Sequence, residues 1–212
     1  MTPGLLLDAA LRRNGARPLL TWYDDASGER IELSVTTAAN WAAKTANLLA
    51  DEHGLDSGDV IALSPASHWL SVVVLLGAWT AGIGVDVAER DGGVVLPGDP
   101  AAFMRAVLPQ PDALLVPPAT DSAVGLLAPG RSWTLGELVA AAGHPPAQCR
   151  VLTTRPLDLL DGVLDAVVRP LVADGSAVLV INADPAALVD RARTERVTHT
   201  ADVDLPGLPR LR

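Results

Sequence analysis

Two short apolar strands with an apolar helix between them constrain the fold of this chain most strongly. Val60–Leu63 is followed by the apolar run Trp69–Ala81, and a second apolar segment, Ile83–Val87, begins after Gly82. Parallel strands need such a crossover, and helices then cover both faces of their sheet, which explains why both strands are apolar throughout. The pattern predicts a βαβ unit within an α/β protein that has a mainly parallel, doubly wound sheet and flanking helices.

Further helices and strands are predicted on both sides of this unit. Thr2 and Pro3 are typical of a helix start, Gly15 of a left-handed helix end, and Ser34 of the start of a second helix with one apolar face. Later helices are predicted at residues 99–107, 134–142, 157–172 and 184–195. Further strands are predicted at Leu19–Tyr23 and Ile31–Leu33, which form a small N-terminal β-hairpin acting as a flap, and at Val94–Leu96, Ala113–Val116, Arg150–Thr153 and Ala177–Ile181.

The domain organisation predicted from these patterns is simple. Residues 1–203 form one α/β domain, and residues 204–212 form a flexible tail. A stretch rich in proline and glycine, residues 117–132, is the clearest loop and a candidate subdomain boundary.

Composition excludes several classes of partner and compartment. The chain has 25 acidic and 16 basic residues, and a net charge of -9 would repel the phosphates of a nucleic acid. The apolar run Trp69–Ile83 is shorter than the roughly 20 residues of a membrane span. No basic segment typical of a signal peptide precedes the first helix. Cys149 is the only cysteine, which excludes an intrachain disulfide and favours a reducing compartment, so we expect a cytoplasmic location.

Two blocks of sequence carry a resemblance to a known family. Gly54–Leu63 reads G-L-D-S-G-D-V-I-A-L and leads into Leu75–Gly82, while Arg150–Gly162 reads R-V-L-T-T-R-P-L-D-L-L-D-G and leads into Pro170–Val180. In their order and spacing these blocks resemble the N-terminal part of adenylate-forming enzymes, the superfamily of acyl-CoA synthetases, luciferases and nonribosomal peptide adenylation domains. The resemblance implies the α/β fold of those proteins.

The departures from that family concern its chemistry. Its members carry a loop like T-S-G-T-T-G-x-P-K-G that holds ATP phosphates through backbone amides, whereas the counterpart here, Gly125–Thr134, keeps only two glycines and Arg131. Asp158 and Leu159 replace an aromatic-histidine pair. The chain is expected to end before the adenine-binding strands, the ribose-binding aspartate and the catalytic lysine, and Lys44 lies in an N-terminal helix where it cannot replace that lysine.

These departures predict a truncated, catalytically incomplete relative with no catalytic residues and no cofactor. It would act as a non-enzymatic binding or protein-interaction module. Apolar surface left by the missing part would be covered by self-association or by a protein partner. The alternative is a fragment that binds a nucleotide, ATP or AMP, or an acyl ligand and completes an adenylating ligase site with a partner chain.

The candidate ligand-binding residues are Ser64, Ser67, His68 and Arg131. The first three follow a buried strand and open a helix, where α/β sheets commonly bind ligands and where helix amides can receive an anion. The alternative for the same segment is that Ser67 is a simple N-cap.

Other motifs favour structural roles. Asp158, Asp161 and Asp165 would share one helix face, where a magnesium ion or, more commonly, solvent would relieve their repulsion, and no metal is predicted. The four histidines lack zinc-ligand spacing. Cys149 has no base that the sequence specifies and is interpreted as structural.

Overall fold

The computed structural model describes residues 1–65, 67–87 and 93–211. The helices are α1 (Pro3–Asn14), α2 (Val35–Asp51), α3 (Trp69–Ala81), α4 (Pro100–Val107), α5 (Leu135–Ala141), α6 (Leu160–Val163), α7 (Arg169–Val172) and α8 (Leu188–Thr194). A π-helical turn, Leu164–Val168, joins α6 to α7. The strands are β1 (Pro18–Asp24), β2 (Glu29–Ser34), β3 (Val60–Ser64), β4 (Gly84–Asp86), β5 (Val95–Pro97), β6 (Val124–Ala128), β7 (Arg131–Thr134), β8 (Arg150–Thr153), β9 (Ser176–Ile181) and β10 (His199–Thr200).

The strands form two five-stranded sheets that are both mostly parallel. The first sheet has the order β10-β8-β9-β1-β2 and the second the order β5-β3-β4-β6-β7. In each sheet only the last pair, β1–β2 or β6–β7, is antiparallel. The predicted α/β class with mainly parallel strands is confirmed. There are two sheets because β1 pairs with β9. The strands β3 to β6, within the described residues, pair only with one another and with β7.

The predicted N-terminal hairpin is confirmed, but it is not a separate flap. β1 lies inside the first sheet, between β2 and β9, and its side chains Leu19, Leu20 and Trp22 are buried. Burial on both faces is expected for a strand with helices on either side of its sheet. The local pattern identified the hairpin but contained no sign of its partner β9.

Helix α3 forms the centre of the core, as the βαβ pattern predicts. Twelve of its thirteen residues are buried, and Gly77 lies directly against Thr45 of α2. A Cβ atom on Gly77 would lie 2.5 Å from the Cβ of Thr45, so glycine is required for α2 and α3 to approach this closely. Gly82, at φ 78°, ends α3 in the left-handed conformation, where glycine carries no steric cost.

Two predictions for residues 113–132 are wrong. Residues 113–116 form no strand, because the buried side chain of Asn47 takes the hydrogen bonds that a neighbouring strand would supply. Its amide nitrogen donates to the carbonyls of Pro111 (3.1 Å) and Ala113 (2.9 Å), and its oxygen accepts from the N–H of Leu115 (3.0 Å). Residues 117–132 are not all loop, since they contain β6 and the start of β7.

The helix starts are mostly as predicted. Thr2, Ser34 and Thr134 each accept a hydrogen bond from a backbone N–H in the first turn of the helix that they cap. Gly15 ends α1 with right-handed dihedral angles (φ -67°), so the predicted left-handed end is wrong there. The helix predicted to begin at residue 184 begins at Leu188, after a turn.

The C-terminal segment extends the edge of the first sheet. The N–H of Thr200 in β10 donates to the carbonyl of Pro209 (3.0 Å), and the N–H of Leu211 donates to the carbonyl of Thr200 (2.8 Å). The division into a domain ending at residue 203 and a flexible tail, and the subdomain boundary at 117–132, stay predictions. None of the helices in the ranges described above combines the length and apolarity needed to cross a membrane.

Candidate functional site

The predicted site residues Ser64, Ser67 and His68 lie in the short connection from β3 to α3. His68, not Ser67, is the N-cap of α3, and its Nδ1 accepts the N–H of Leu70 at 3.1 Å. The alternative that Ser67 is the cap is therefore wrong, because the helix begins one residue later than that assignment requires. The carbonyl of Ser67 instead accepts the indole N–H of Trp22 at 3.0 Å.

The environment of His68 is aromatic and partly apolar. Its ring centroid lies 5.4 Å from that of Trp22 and 5.6 Å from that of Trp69. Burial lowers the pKa of His68, although the charge of Glu29 acts in the opposite direction. The imidazole is therefore neutral at pH 7, and because Nδ1 accepts a hydrogen bond, the ring proton is assigned to Nε2.

Several polar backbone groups around this turn are already engaged. The N–H of Leu70 donates to His68 Nδ1, and the N–H of Ser71 donates to the His68 carbonyl at 2.9 Å. The carbonyl of Ser64 accepts the N–H of Gly98 at 2.7 Å. The side-chain groups that the turn offers to a ligand are the hydroxyl groups of the two serines and the Nε2–H of His68.

Arg131 lies apart from the other three residues. It begins β7, and β4 and β6 separate that strand from β3. Three inter-strand steps correspond to roughly 14 Å across the sheet. Its guanidinium lies over the ring of Trp133, 4.9 Å from the centroid, in a cation–π contact. The structure brings Ser64, Ser67 and His68 together and does not add Arg131 to them.

The counterpart of the phosphate loop forms the hairpin β6–β7. Ala128 pairs with Arg131, so only Pro129 and Gly130 make the turn, with Gly130 at φ 77°. Gly125 lies in β6, where a Cβ atom would come within 2.8 Å of side-chain carbons of Leu135 and Leu138. Both remaining glycines thus have structural roles, one in a tight turn and one under helix α5.

The segment corresponding to the second family block is packed tightly at Gly162. A Cβ atom there would lie 1.8 Å from the carbonyl oxygen of Pro156, so no larger residue fits without moving the backbone. Asp158 and Leu159, which stand where the family has its aromatic-histidine pair, are both exposed.

The three aspartates predicted to share a helix face do not form one, because Asp158 precedes α6. Asp158 and Asp161 are exposed as predicted, but Asp165 in the π-helical turn is fully buried. Its carboxylate accepts hydrogen bonds from Arg155 (2.8 Å) and from Arg169. Burial raises the pKa of Asp165, and the two guanidinium groups act in the opposite direction. In the described ranges no three His, Cys, Asp or Glu side chains are grouped as a metal site would require.

Sequence reasoning missed a large cleft at the amino edge of the first sheet. Its volume is about 760 Å³, and Pro18, Arg150 and Ser176, the first residues of β1, β8 and β9, line it. Its charged residues come from distant parts of the chain: Arg13 and its partner Asp174 are 161 positions apart. No local pattern relates residues at that separation.

Comparison with known proteins identifies a relative by sequence. No protein-family model matches it. A curated protein of Mycobacterium tuberculosis, described as a "TIGR03089 family protein", is 33% identical over 232 aligned positions that cover 92% of this chain and 96% of that protein.

Solved structures share the fold at low sequence identity. The N-terminal domain of FACL13 from Mycobacterium tuberculosis matches with a TM-score of 0.78 at 13% identity, over 94% of this chain and 62% of that one. An acyl-CoA synthetase from Brucella canis matches with a TM-score of 0.76 at 15% identity, over 95% of this chain and 47% of that one. ATP-bound MatB from Rhodopseudomonas palustris matches with a TM-score of 0.71 at 16% identity, over 94% and 49%. The predicted resemblance to the N-terminal part of such enzymes is confirmed at the level of the fold, and the chain spans about half to three fifths of their length.

Proposed function

Since the chain belongs to the TIGR03089 family and has the fold of the N-terminal domain of acyl-CoA synthetases, we propose that it is a catalytically incomplete relative of adenylate-forming enzymes. In this proposal it works as a binding or protein-interaction module rather than as a ligase. The free thiol of Cys149, whose pKa is raised by burial, suits a reducing compartment, and we extend the proposal to a cytoplasmic location.

The observation that carries this proposal is the two-residue turn Pro129–Gly130. A loop that holds phosphates needs several successive backbone amides directed at the anion. In β6–β7 the residues on either side of the turn, Ala128 and Arg131, already pair with each other. Too little backbone remains between the strands to surround a triphosphate.

The single lysine supports the same conclusion. Lys44 lies in α2, where its ammonium group donates to the carbonyls of Leu108 (2.9 Å) and Gln110 and lies 3.2 Å from Asp112. It therefore fixes the segment after α4 to α2. A lysine held in this way has a structural role and is not available to a nucleotide.

Calorimetric titration with ATP and magnesium, AMP and a coenzyme A thioester tests the proposal. We expect no saturable heat that depends on Arg131, the one basic residue left in the phosphate-loop counterpart. Heat that Arg131→Gln abolishes and Arg105→Gln preserves would overturn the proposal. That result would favour the alternative, a fragment that completes an adenylating site with a partner chain. Arg105 is a suitable control because it is an exposed arginine outside both candidate regions.

Self-association or a protein partner is part of this proposal. Val60 and Val95 lie on the neighbouring strands β3 and β5 and are 40% and 44% exposed. A protein contact here would remove their apolar surface from water. Light scattering should give a defined mass above that of one chain, alone or with a co-purified protein, and a strictly monomeric chain would contradict this part.

A further inference from the structure

The cleft at the amino edge of the first sheet, here called the arginine cleft, has the size of a small-molecule site. Ligand pockets typically enclose about 300–1,000 Å³, and this cleft has about 760 Å³. It opens where β1, β8 and β9 begin. The cleft is separate from the turn after β3, since that strand belongs to the second sheet and none of Ser64, Ser67 and His68 lines the cleft.

The charge of the cleft differs from that of the whole chain. Arg13, Arg17, Arg150 and Arg196 line it together with the acids Glu32, Asp174 and Glu195. Arginine thus outnumbers acid here, whereas the chain has 16 basic and 25 acidic residues. Guanidinium groups are suited to bind phosphate and carboxylate because they offer two parallel N–H donors.

Two of the four arginines form the fixed wall of the cleft. Arg150 donates to Glu195 (2.6 Å), to Ser176 (2.9 Å) and to Thr21 (2.8 Å). Arg17 donates to Asp174 at 2.5 Å and to the carbonyl of Gly175. Both side chains are largely buried and are therefore already positioned.

The other two arginines have donors to offer. Arg13 uses its Nε for Asp174, at 2.9 Å, and its side chain is 50% exposed. Arg196 is exposed and takes part in no ion pair within the residues that the structure describes. Arg13 also lies in the last turn of α1, where its positive charge offsets the negative end of the helix dipole. This structural role explains Arg13 but not Arg196.

We propose that the arginine cleft binds a small molecule through an oxyanion group, a phosphate or a carboxylate, which accepts hydrogen bonds from Arg13 and Arg196. Asp174 competes for Arg13, so the ligand replaces part of an existing ion pair. Arg17 and Arg150 offset the charges of Asp174 and Glu195, so the surplus positive charge of the cleft lies with Arg13 and Arg196. This proposal is independent of the catalytic state of the chain.

Calorimetry of the full chain with pyrophosphate, inorganic phosphate and citrate, at constant ionic strength, tests it. We expect saturable binding of at least one of these anions, and the order of affinity distinguishes a phosphate from a carboxylate ligand. Arg13→Gln and Arg196→Gln should each weaken binding about tenfold, since each removes a charge-assisted hydrogen bond. Arg12→Gln, in the same helix turn but outside the cleft, should leave the affinity unchanged.

A second variant tests the competition by Asp174. Asp174→Asn should tighten binding several-fold, because it removes a negative charge and releases Arg13, while Arg17 keeps its hydrogen bond to the carbonyl of Gly175. Asparagine tolerates the positive φ of 52° at this position. No saturable heat with any of the three anions, or an equal loss in Arg12→Gln, would overturn the proposal. ATP also carries phosphates: heat from ATP that Arg13→Gln removes belongs to the cleft, whereas heat that Arg13→Gln leaves and Arg131→Gln removes counts against the proposed function.

Discussion

The guanidinium of Arg150 donates to both the backbone carbonyl and the carboxylate of Glu195, each at 2.6 Å. Arg150 begins β8 and Glu195 is the C-cap of α8, so this pair fixes the end of the helix to the edge of the sheet. Glu195 also accepts hydrogen bonds from the hydroxyl of Tyr23 and from Arg30 (3.1 Å). One carboxylate therefore connects strands β1, β2 and β8 to α8.

Replacing Glu195 by glutamine should be among the most destabilising conservative changes in the chain. It removes the carboxylate partner of Arg150 and one of the two carboxylate partners of Arg30, and it puts an amide N–H₂ among donors, so we expect the free energy of unfolding to fall by about 3 kcal/mol. Urea unfolding followed by tryptophan fluorescence measures this. Asp190→Asn on the same helix is the control, because Asp190 is 81% exposed and its pair with Arg193 should contribute little.

Glu195 should also determine part of the pH dependence of the free energy of unfolding. Burial alone would raise the pKa of Glu195, but the hydrogen bonds from Tyr23, Arg150 and Arg30 outweigh it, and the pKa lies below its ordinary value. Its stabilisation is therefore present above the pKa of the unfolded chain, about 4.3, and is lost as the pH falls through the lower folded value. The free energy of unfolding should fall less steeply with acid in Glu195→Gln than in the wild type. Parallel pH profiles for the two proteins would contradict the assignment.

Asp165 should contribute much more to the free energy of unfolding than its neighbour Asp161. Asp165→Asn removes the buried carboxylate that Arg155 and Arg169 share. Burial raises the pKa of Asp165, so the substitution also relieves a cost, but the loss of both ion pairs should outweigh that relief and lower the free energy of unfolding by about 3 kcal/mol. Asp161 is 62% exposed and lies 3.8 Å from Arg155, so Asp161→Asn should change stability by less than about 0.5 kcal/mol. Equal effects of the two substitutions in denaturant unfolding would show that the buried ion pairs contribute little.

Local sequence predicted those parts of the fold whose causes are local. The βαβ unit follows from the apolar run of α3 and its flanking strands, and the caps at Thr2, Ser34 and Thr134 follow from side chains that bond within one turn. The resemblance to adenylate-forming enzymes supplied the rest of the α/β class, because it rests on the order of whole blocks.

What the sequence did not predict depends on contacts between distant residues. Asp165 is buried in a π-helical turn and is paired with Arg155, ten positions earlier in the chain. Neither the turn nor this pairing can be recognised from periodicity or charge spacing. The short strand β10 has only two residues and gives no pattern. Within the candidate site, the sequence predicted that Ser64 lies near His68, because the two residues are only four positions apart in the chain. The position of Arg131 was not, since it depends on strand order.

Gly77→Ala should destabilise the protein although alanine is the better helix former. The intrinsic gain is about 1 kcal/mol, whereas forcing a methyl group against Thr45 costs about 1–3 kcal/mol or more in a close-packed core. The result should be a net loss of stability, measured as a lower midpoint of urea unfolding. Gly4→Ala in α1 is the control, because the nearest atom to its added Cβ is the Thr80 hydroxyl at 3.2 Å, where a small shift suffices. Part of the intrinsic gain should therefore remain, and this variant should not be less stable than the wild type. A more stable Gly77→Ala variant would show that α2 and α3 can separate at no cost.

We expect Asn47 to hold the segment after α4 in place. Replacing it should loosen that segment first and lower the stability of the whole protein second. Asn47→Ala leaves the carbonyls of Pro111 and Ala113 and the N–H of Leu115 without their partner, and buried unsatisfied groups cost about 1–3 kcal/mol each unless water reaches them. We expect faster hydrogen exchange at the Leu115 amide, together with a lower free energy of unfolding.

Asn47→Asp separates the two kinds of hydrogen bond that Asn47 makes. Aspartate keeps the acceptor for Leu115 but places a negative oxygen against the two carbonyls, so it should be at least as destabilising as alanine while protecting the Leu115 amide better. If aspartate and alanine gave the same exchange rate at Leu115, the hydrogen bond from that amide would not be what orders the segment. The contacts of Lys44 with Leu108 and Gln110 would then be the stronger restraint.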